Sequence, residues 1–167
     1  MLLARSTAAA VGHAGRRRVH GVAGVGPQRA GTLTDAGPLI AIIDADEADH
    51  DSCVDALNRL TIPLVTTWPA FTEAMYLLAR AGGIRAQQAL SRLVRTNLLV
   101  VADLSPSAVD RSARLMDQYA DRPTSLADAT LVALAEERGD RRIFSLVTDF
   151  QIYRFRGRLR FETVRTP

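Results

Sequence analysis

The chain has 167 residues, 47% hydrophobic and 23% charged, the proportions of one soluble globular domain able to bury a sizeable core. The sequence holds no run of about 18 apolar residues, so no membrane span is expected. Its single cysteine, Cys53, excludes an internal disulfide and a cysteine-built zinc site, and fits a reducing, cytoplasmic setting.

All 21 basic residues are arginine, which removes a P-loop lysine, a Schiff-base lysine and a Ser-x-x-Lys nucleophile from consideration. The net charge of +3 is unevenly placed. Residues 1–34 carry Arg5, Arg16, Arg17, Arg18 and Arg29 and no acid, whereas the rest carries 16 arginines against 18 acids. Residues 1–32 therefore read as a basic leader without sustained periodicity. A transit peptide, a disordered arm and an upstream extension from a misplaced start codon all fit that composition. The glycines at 21, 24 and 26 make a poor dinucleotide fingerprint, because Pro27 falls where a helix should open. Residues 33–167 are expected to form the folded domain.

In chain order, Thr32-Leu33-Thr34 predicts a short strand ending at Asp35. Ala36-Gly37-Pro38 reads as a turn, and Leu39–Asp44 as a continuing apolar segment. The acidic stretch Asp44–Asp51 leads into a helix through Val54, Leu57 and Leu60. Pro63–Thr66 predicts a second strand, and Thr67 caps a helix with Pro69 in its first turn, running to Gly82-Gly83. A helix over Arg85–Thr96 precedes a third strand, Leu98–Ala102, and Pro106 opens a helix that reaches Tyr119. Ser125–Gly139 has the clearest ends: Ser125 is a good N-cap, Gly139 a left-handed stop, and Leu126, Ala129, Thr130, Ala133 and Leu134 recur at helical spacing. Arg142–Val147 predicts a fourth strand and Arg160–Val164 a fifth. Strands separated by helices imply βαβ units and a mostly parallel sheet of four to five strands covered on both faces, with its site at the carboxyl ends of the strands.

Four acids fall at those ends. Asp35 follows the first strand, Glu73 lies early in the helix after the second, Asp128 lies in the first turn of the Ser125 helix, and Asp149 follows the fourth strand. Taken singly, each has a bland reading: a turn residue, a solvated helix residue, a Ser125-x-x-Asp128 capping box, a Thr148-Asp149 turn. Taken together they form a carboxylate cluster that repels itself. A hard divalent cation, Mg²⁺ or Mn²⁺, resolves the repulsion through oxygen ligands. The chemistry that follows is metal-assisted phosphodiester hydrolysis, in which the ion activates a water and stabilises the charge of the transition state.

Asp35-Ala-Gly-Pro-Leu-Ile-Ala-Ile-Ile-Asp44, Thr67-Trp-Pro-Ala-Phe-Thr-Glu73 and Tyr119-Ala-Asp-Arg-Pro-Thr-Ser-Leu-Ala-Asp128-Ala resemble the three acidic blocks of PIN-domain proteins, most closely the VapC-type toxins of bacterial toxin–antitoxin pairs. The resemblance covers about residues 33–165. It implies a three-layer α/β/α fold and a Mg²⁺-dependent endoribonuclease that acts on single-stranded or structured RNA, is held inactive by a cognate antitoxin, and forms a homodimer. Asp35, Glu73 and Asp128 map onto the family's metal-binding acids. The fourth position departs from the pattern: in Ser145-Leu-Val-Thr-Asp-Phe150, Val147 stands where the family's first acid falls, and Asp149 matches the later one. Either Asp149 reaches in from two residues further on, or the site has lost a ligand. Nor does the segment before Thr32 supply the family's usual apolar run.

Arg154-Phe-Arg156-Gly-Arg158-Leu-Arg160 alternates, so its arginines would share one face of a strand unless Gly157 places a turn in the run and splits it. Phosphate binding, with Tyr153 or Phe155 as a stacking surface, and an edge strand charged against aggregation both account for the pattern. Two other functions compete with the nuclease. A catalytically weak PIN-like binding module is favoured by Val147, and turnover with Mg²⁺ or Mn²⁺ discriminates it. A metal-dependent phosphatase is disfavoured by the missing lysine and by the lack of Asp-x-Asp after the first strand.

Overall fold

The computed structural model of the protein describes residues 31–122, 124–147 and 149–164, apart from the side chain of Asp149. The expected leader, up to residue 30, lies outside the described residues. Five strands, β1 (Thr32–Thr34), β2 (Leu64–Thr67), β3 (Leu99–Ala102), β4 (Arg142–Phe144) and β7 (Glu162–Val164), form one sheet in the order β3-β2-β1-β4-β7. Every neighbouring pair in it is parallel. Helices α1 (Ala36–Ile43), α2 (His50–Leu57), α3 (Trp68–Ala81), α4 (Gly83–Arg95), α5 (Pro106–Gln118) and α6 (Leu126–Arg138) connect the strands, and a two-stranded hairpin, β5 (Arg154–Phe155) with β6 (Leu159–Arg160), precedes β7.

Strand alternation divides the core between two faces. Leu64 of β2 packs with Leu39, Leu78 and Leu90 beneath α1, α3 and α4. Its neighbour Val65 packs with Leu33, Ile143 and the α6 residues Ala129, Leu131 and Val132. Helix α6 is buried without interruption from Ala127 to Ala135, because α5 covers it on the side away from the sheet; an all-round apolar helix is a buried one. This is the expected three-layer α/β/α arrangement with a five-stranded parallel sheet. Among the described residues no helix is long and apolar enough to cross a membrane.

Three local readings change. The segment from Ala36 to Ile43 is a helix, not a turn and an extended run. Asp35 caps it by accepting the Ala36 N–H at 2.7 Å, and Pro38 sits in the first turn, where no intrahelical donor is needed. Strand β4 ends at Phe144 rather than Val147, because the Ser145 hydroxyl takes up the Val147 N–H at 3.3 Å and bends the chain away. The arginine run folds back at Gly157, whose φ of +73° is left-handed, so it makes a hairpin and β7 begins only at Glu162.

Candidate active site

In a parallel sheet each strand delivers the chain to the same edge, and each following helix starts there. Asp35 stands between β1 and α1. Glu73 lies in the second turn of α3, just after β2, and Asp128 in the first turn of α6, just before β4. Helices α3 and α6 are in contact, and Glu73 and Asp128 come near enough to Asp35 for their charges to act on it.

Asp35 and Asp128 are buried, at 6% and 7% exposure, while Glu73 lies on the exposed face of α3. The Asp35 carboxylate accepts two hydrogen bonds, from the Ala36 N–H and, at 2.9 Å, from the Ser145 hydroxyl. Burial nevertheless raises its pKa from 3.8 to about 6, helped by the charge of Asp128 and more weakly by that of Glu73, and the two hydrogen bonds offset this only in part. The pKa of Glu73 is also raised, by burial first and then by Asp128. The three acids thus feel one another's charge, and the neutral forms of Asp35 and Glu73 are favoured beyond their usual range.

Asp128 combines both of its sequence readings. Its Oδ2 accepts the Ser125 N–H at 3.3 Å while the Ser125 hydroxyl accepts the Asp128 N–H at 3.0 Å, a reciprocal capping box. The carboxylate that starts α6 is the one that faces Asp35 electrostatically. Asp149 opens a short 3₁₀ turn, Asp149–Gln151, and its carboxylate lies outside the described features. Val147, at the position of the missing family acid, is exposed.

The donor chemistry suits a hard divalent ion: three oxygen-only side chains share an electrostatic neighbourhood, and the raised proton affinity of Asp35 and Glu73 is what a cation relieves. Among the described residues no three acidic, histidine or cysteine side chains gather closely enough to hold an ion among them. Mg²⁺ does not require that, since it keeps several waters and uses one or two carboxylates. Asp35 and Asp128 would hold it, with Glu73 at the rim.

Two supporting contacts escape sequence reading. Ser145 joins a chain of donors, Val147 N–H to Ser145 Oγ to Asp35 Oδ2; its place just past β4 was the available signal. Thr130 has a buried role in addition to facing the core. Its hydroxyl donates to the Ala127 carbonyl at 2.9 Å and meets the Thr67 hydroxyl at 2.8 Å. Thr67, at the start of α3, makes no side-chain cap; it bridges instead to α6, tying the helix of Glu73 to the helix of Asp128. Nothing in the spacing of Thr67 and Thr130, 63 residues apart, announces that pair.

The arginine run sits at the far end of α6 from the site. Arg156 donates its backbone N–H to Glu136 Oε1 at 2.8 Å and a guanidinium N–H to the Glu136 carbonyl. The Arg154 guanidinium is spent on the carbonyls of residues 151–153. Tyr153 and Phe155 are buried in the core, which removes them as a stacking surface; the large aromatics exposed near the acids are Trp68 and Tyr76 on α3.

These features define an α/β/α domain with a carboxylate pair and a third acid at the carboxyl edge of a parallel sheet. The chain belongs to the PIN-domain family, whose pattern it matches over residues 32–156. It is 28% identical over 114 residues to Ribonuclease VapC26 of Mycobacterium tuberculosis, an alignment covering 68% of this chain and 84% of that protein. Its fold is similar to that of VapC20 of Mycobacterium tuberculosis, a toxin that cleaves the sarcin–ricin loop, with a TM-score of 0.69 at 20% identity over 74% of this chain and 95% of the other.

Proposed function

We propose that this protein is a Mg²⁺-dependent endoribonuclease toxin that hydrolyses phosphodiester bonds of single-stranded RNA and is neutralised by a cognate antitoxin, Mn²⁺ being the alternative ion. The observation that carries the reading is the coupling of buried Asp35, buried Asp128 and Glu73 at the carboxyl edge of a PIN sheet. The likeness to a protein named a ribonuclease and to an RNA-loop-cleaving toxin supports RNA as the substrate. Association as a homodimer is part of the same proposal.

A bound Mg²⁺ supplies an activated water and neutralises charge developing on the phosphate. The chain's own part is to hold Asp35 by the Ala36 N–H and the Ser145 hydroxyl, and to fix Asp128 through its cap. The Thr67–Thr130 bridge keeps α3 and α6 in register. The amino ends of α1, α3 and α6 open toward this edge, and the positive ends of their dipoles favour an anionic phosphate.

The test is cleavage of total RNA by wild type and Asp128→Asn, with and without Mg²⁺ or Mn²⁺, after stripping any co-purified partner. Discrete metal-dependent fragments absent from the variant support the proposal. RNA binding without cleavage by either ion overturns it in favour of an RNA-binding module, the second reading, which the exposed Val147 favours. In that event Val147→Asp tests whether the missing acid is the cause.

A further inference from the structure

Beside the acids, between α3 and the amino end of α6, runs an open groove of about 650 Å³ lined by Trp68, Thr72, Glu73, Tyr76, Ser125 and Leu126. Three of its walls are large apolar side chains left in solvent: Trp68 is 54% exposed, Tyr76 60% and Leu126 51%. Such a patch is unusual on a free surface and marks a place of contact.

The two aromatic side chains are held rather than loose. The Trp68 indole N–H donates to Asp103 at 3.2 Å, and its ring meets Phe71 edge-on at 5.9 Å. The Tyr76 hydroxyl accepts from Arg80 at 3.3 Å, and that guanidinium lies 5.9 Å from the ring centre. Trp68, Thr72 and Tyr76 follow one another at four-residue spacing, so they form one stripe, and the two rings are separated by about 12 Å along the helix at ~1.5 Å per residue.

Glu73 belongs both to the groove and to the acidic cluster, and Ser125 and Leu126 directly precede Asp128. A strand with a phosphate at the carboxylates therefore finds this groove open to its neighbouring nucleotides. The groove lining has no arginine and one carboxylate, which suits a base and repels a phosphate. Aromatic faces take any unpaired base, whatever its sequence.

We propose that this groove seats unpaired nucleobases of the RNA strand next to the bond being cut, with Trp68 and Tyr76 as two stacking platforms. The proposal rests on the ribonuclease reading for its substrate. Trp68 is the only tryptophan of the chain, so its emission reports on this groove alone.

The experiment titrates the full chain, in EDTA to prevent cleavage, with a mixed-sequence single-stranded RNA decamer and with a decamer of the same sugar–phosphate backbone lacking bases. RNA is expected to quench Trp68 saturably, and the base-free strand to bind about tenfold more weakly or worse. With Mg²⁺, Trp68→Leu and Tyr76→Leu are each expected to raise KM for RNA about tenfold while kcat stays within about threefold. Equal binding of the two strands, or unchanged KM in folded variants, overturns the proposal. If Trp68→Leu fails to fold, the wild-type quenching and Tyr76→Leu still decide. Emission that changes on dilution of the protein but not with RNA assigns the face to a second copy of the chain, which also overturns it. Metal-dependent cleavage without quenching refutes the groove and spares the nuclease; quenching without cleavage does the reverse.

Discussion

Replacing Asp35 by Asn is expected to make the metal-free protein more stable and inactive. The folded chain holds this carboxyl at about 6 against 3.8, so ionising it opposes folding. The cost is absent below the unfolded value, grows as pH rises between the two values, and is complete above the upper one. At 1.36 kcal/mol per pH unit the full cost is about 3 kcal/mol. Asn keeps the oxygen that accepts the Ala36 N–H and is an equally good N-cap, and the Ser145 hydroxyl can turn to accept its amide. The lost attraction to the amino end of α1 returns roughly 0.3–1 kcal/mol, leaving a net gain of about 2 kcal/mol, or about 5 °C in Tm for a domain of this size. Thermal unfolding in EDTA, followed by circular dichroism at about pH 7.5 and about pH 5, tests this, because the cost should be about halved at the lower pH. A variant less stable than wild type at the higher pH, or a gain that does not shrink with acid, refutes the argument. Added Mg²⁺ should raise the Tm of wild type and not that of the variant, since only an ionised site gains from the ion.

Ser145→Ala should raise the pKa of Asp35 further, because it deletes a bond to the charged form; the acid limb of a kcat/KM profile then moves to higher pH, and unchanged position would count against the contact. Thr130→Val removes the bridge from Thr67 and leaves a buried hydroxyl short of a partner, costing about 1–3 kcal/mol. Mg²⁺ affinity by calorimetry should fall with it and return in Thr130→Ser, whereas a stability loss with unchanged affinity would make the bridge purely structural. Leu131→Ala, in the fully buried middle of α6, should cost about 2–5 kcal/mol in urea unfolding, and a cost near zero would contradict the placement of that helix in the core.

The sequence made the layers legible and the wiring between them less so. Helix α6 runs from its Ser125 cap to its Gly139 stop as its end signals foretold, because both signals are local and satisfied by adjacent backbone groups. The parallel pairing of the strands also follows from local runs joined by helices, whereas their order across the sheet does not. Helix α1 was missed because eight apolar residues, buried on several sides, carry no helical period, and a short buried run reads the same as helix or strand. The β5–β6 hairpin was legible in part: alternation is real in Arg154–Arg160, Gly157 is the sequence's mark of the turn that splits it, and Arg156 beside it is left-handed as well. At the site, the acids could be found because parallel strands all end at one edge. Their supports could not, because Ser145–Asp35 and Thr67–Thr130 join residues 110 and 63 positions apart.

The capping role of Asp128 has an evolutionary corollary. Helix α6 is the most deeply buried helix of the fold, and its first turn is closed by the same carboxylate that the proposed site uses. Selection for a folded chain therefore favours a side-chain acceptor at 128 even after catalysis has ceased to matter, and an aspartate there also suits the helix dipole. At 35 the two pressures part, because an amide caps α1 as well and escapes the cost of a buried charge. A descendant that keeps the fold and abandons the chemistry is expected to change position 35 first, so a retained Asp128 alone is no mark of an active relative.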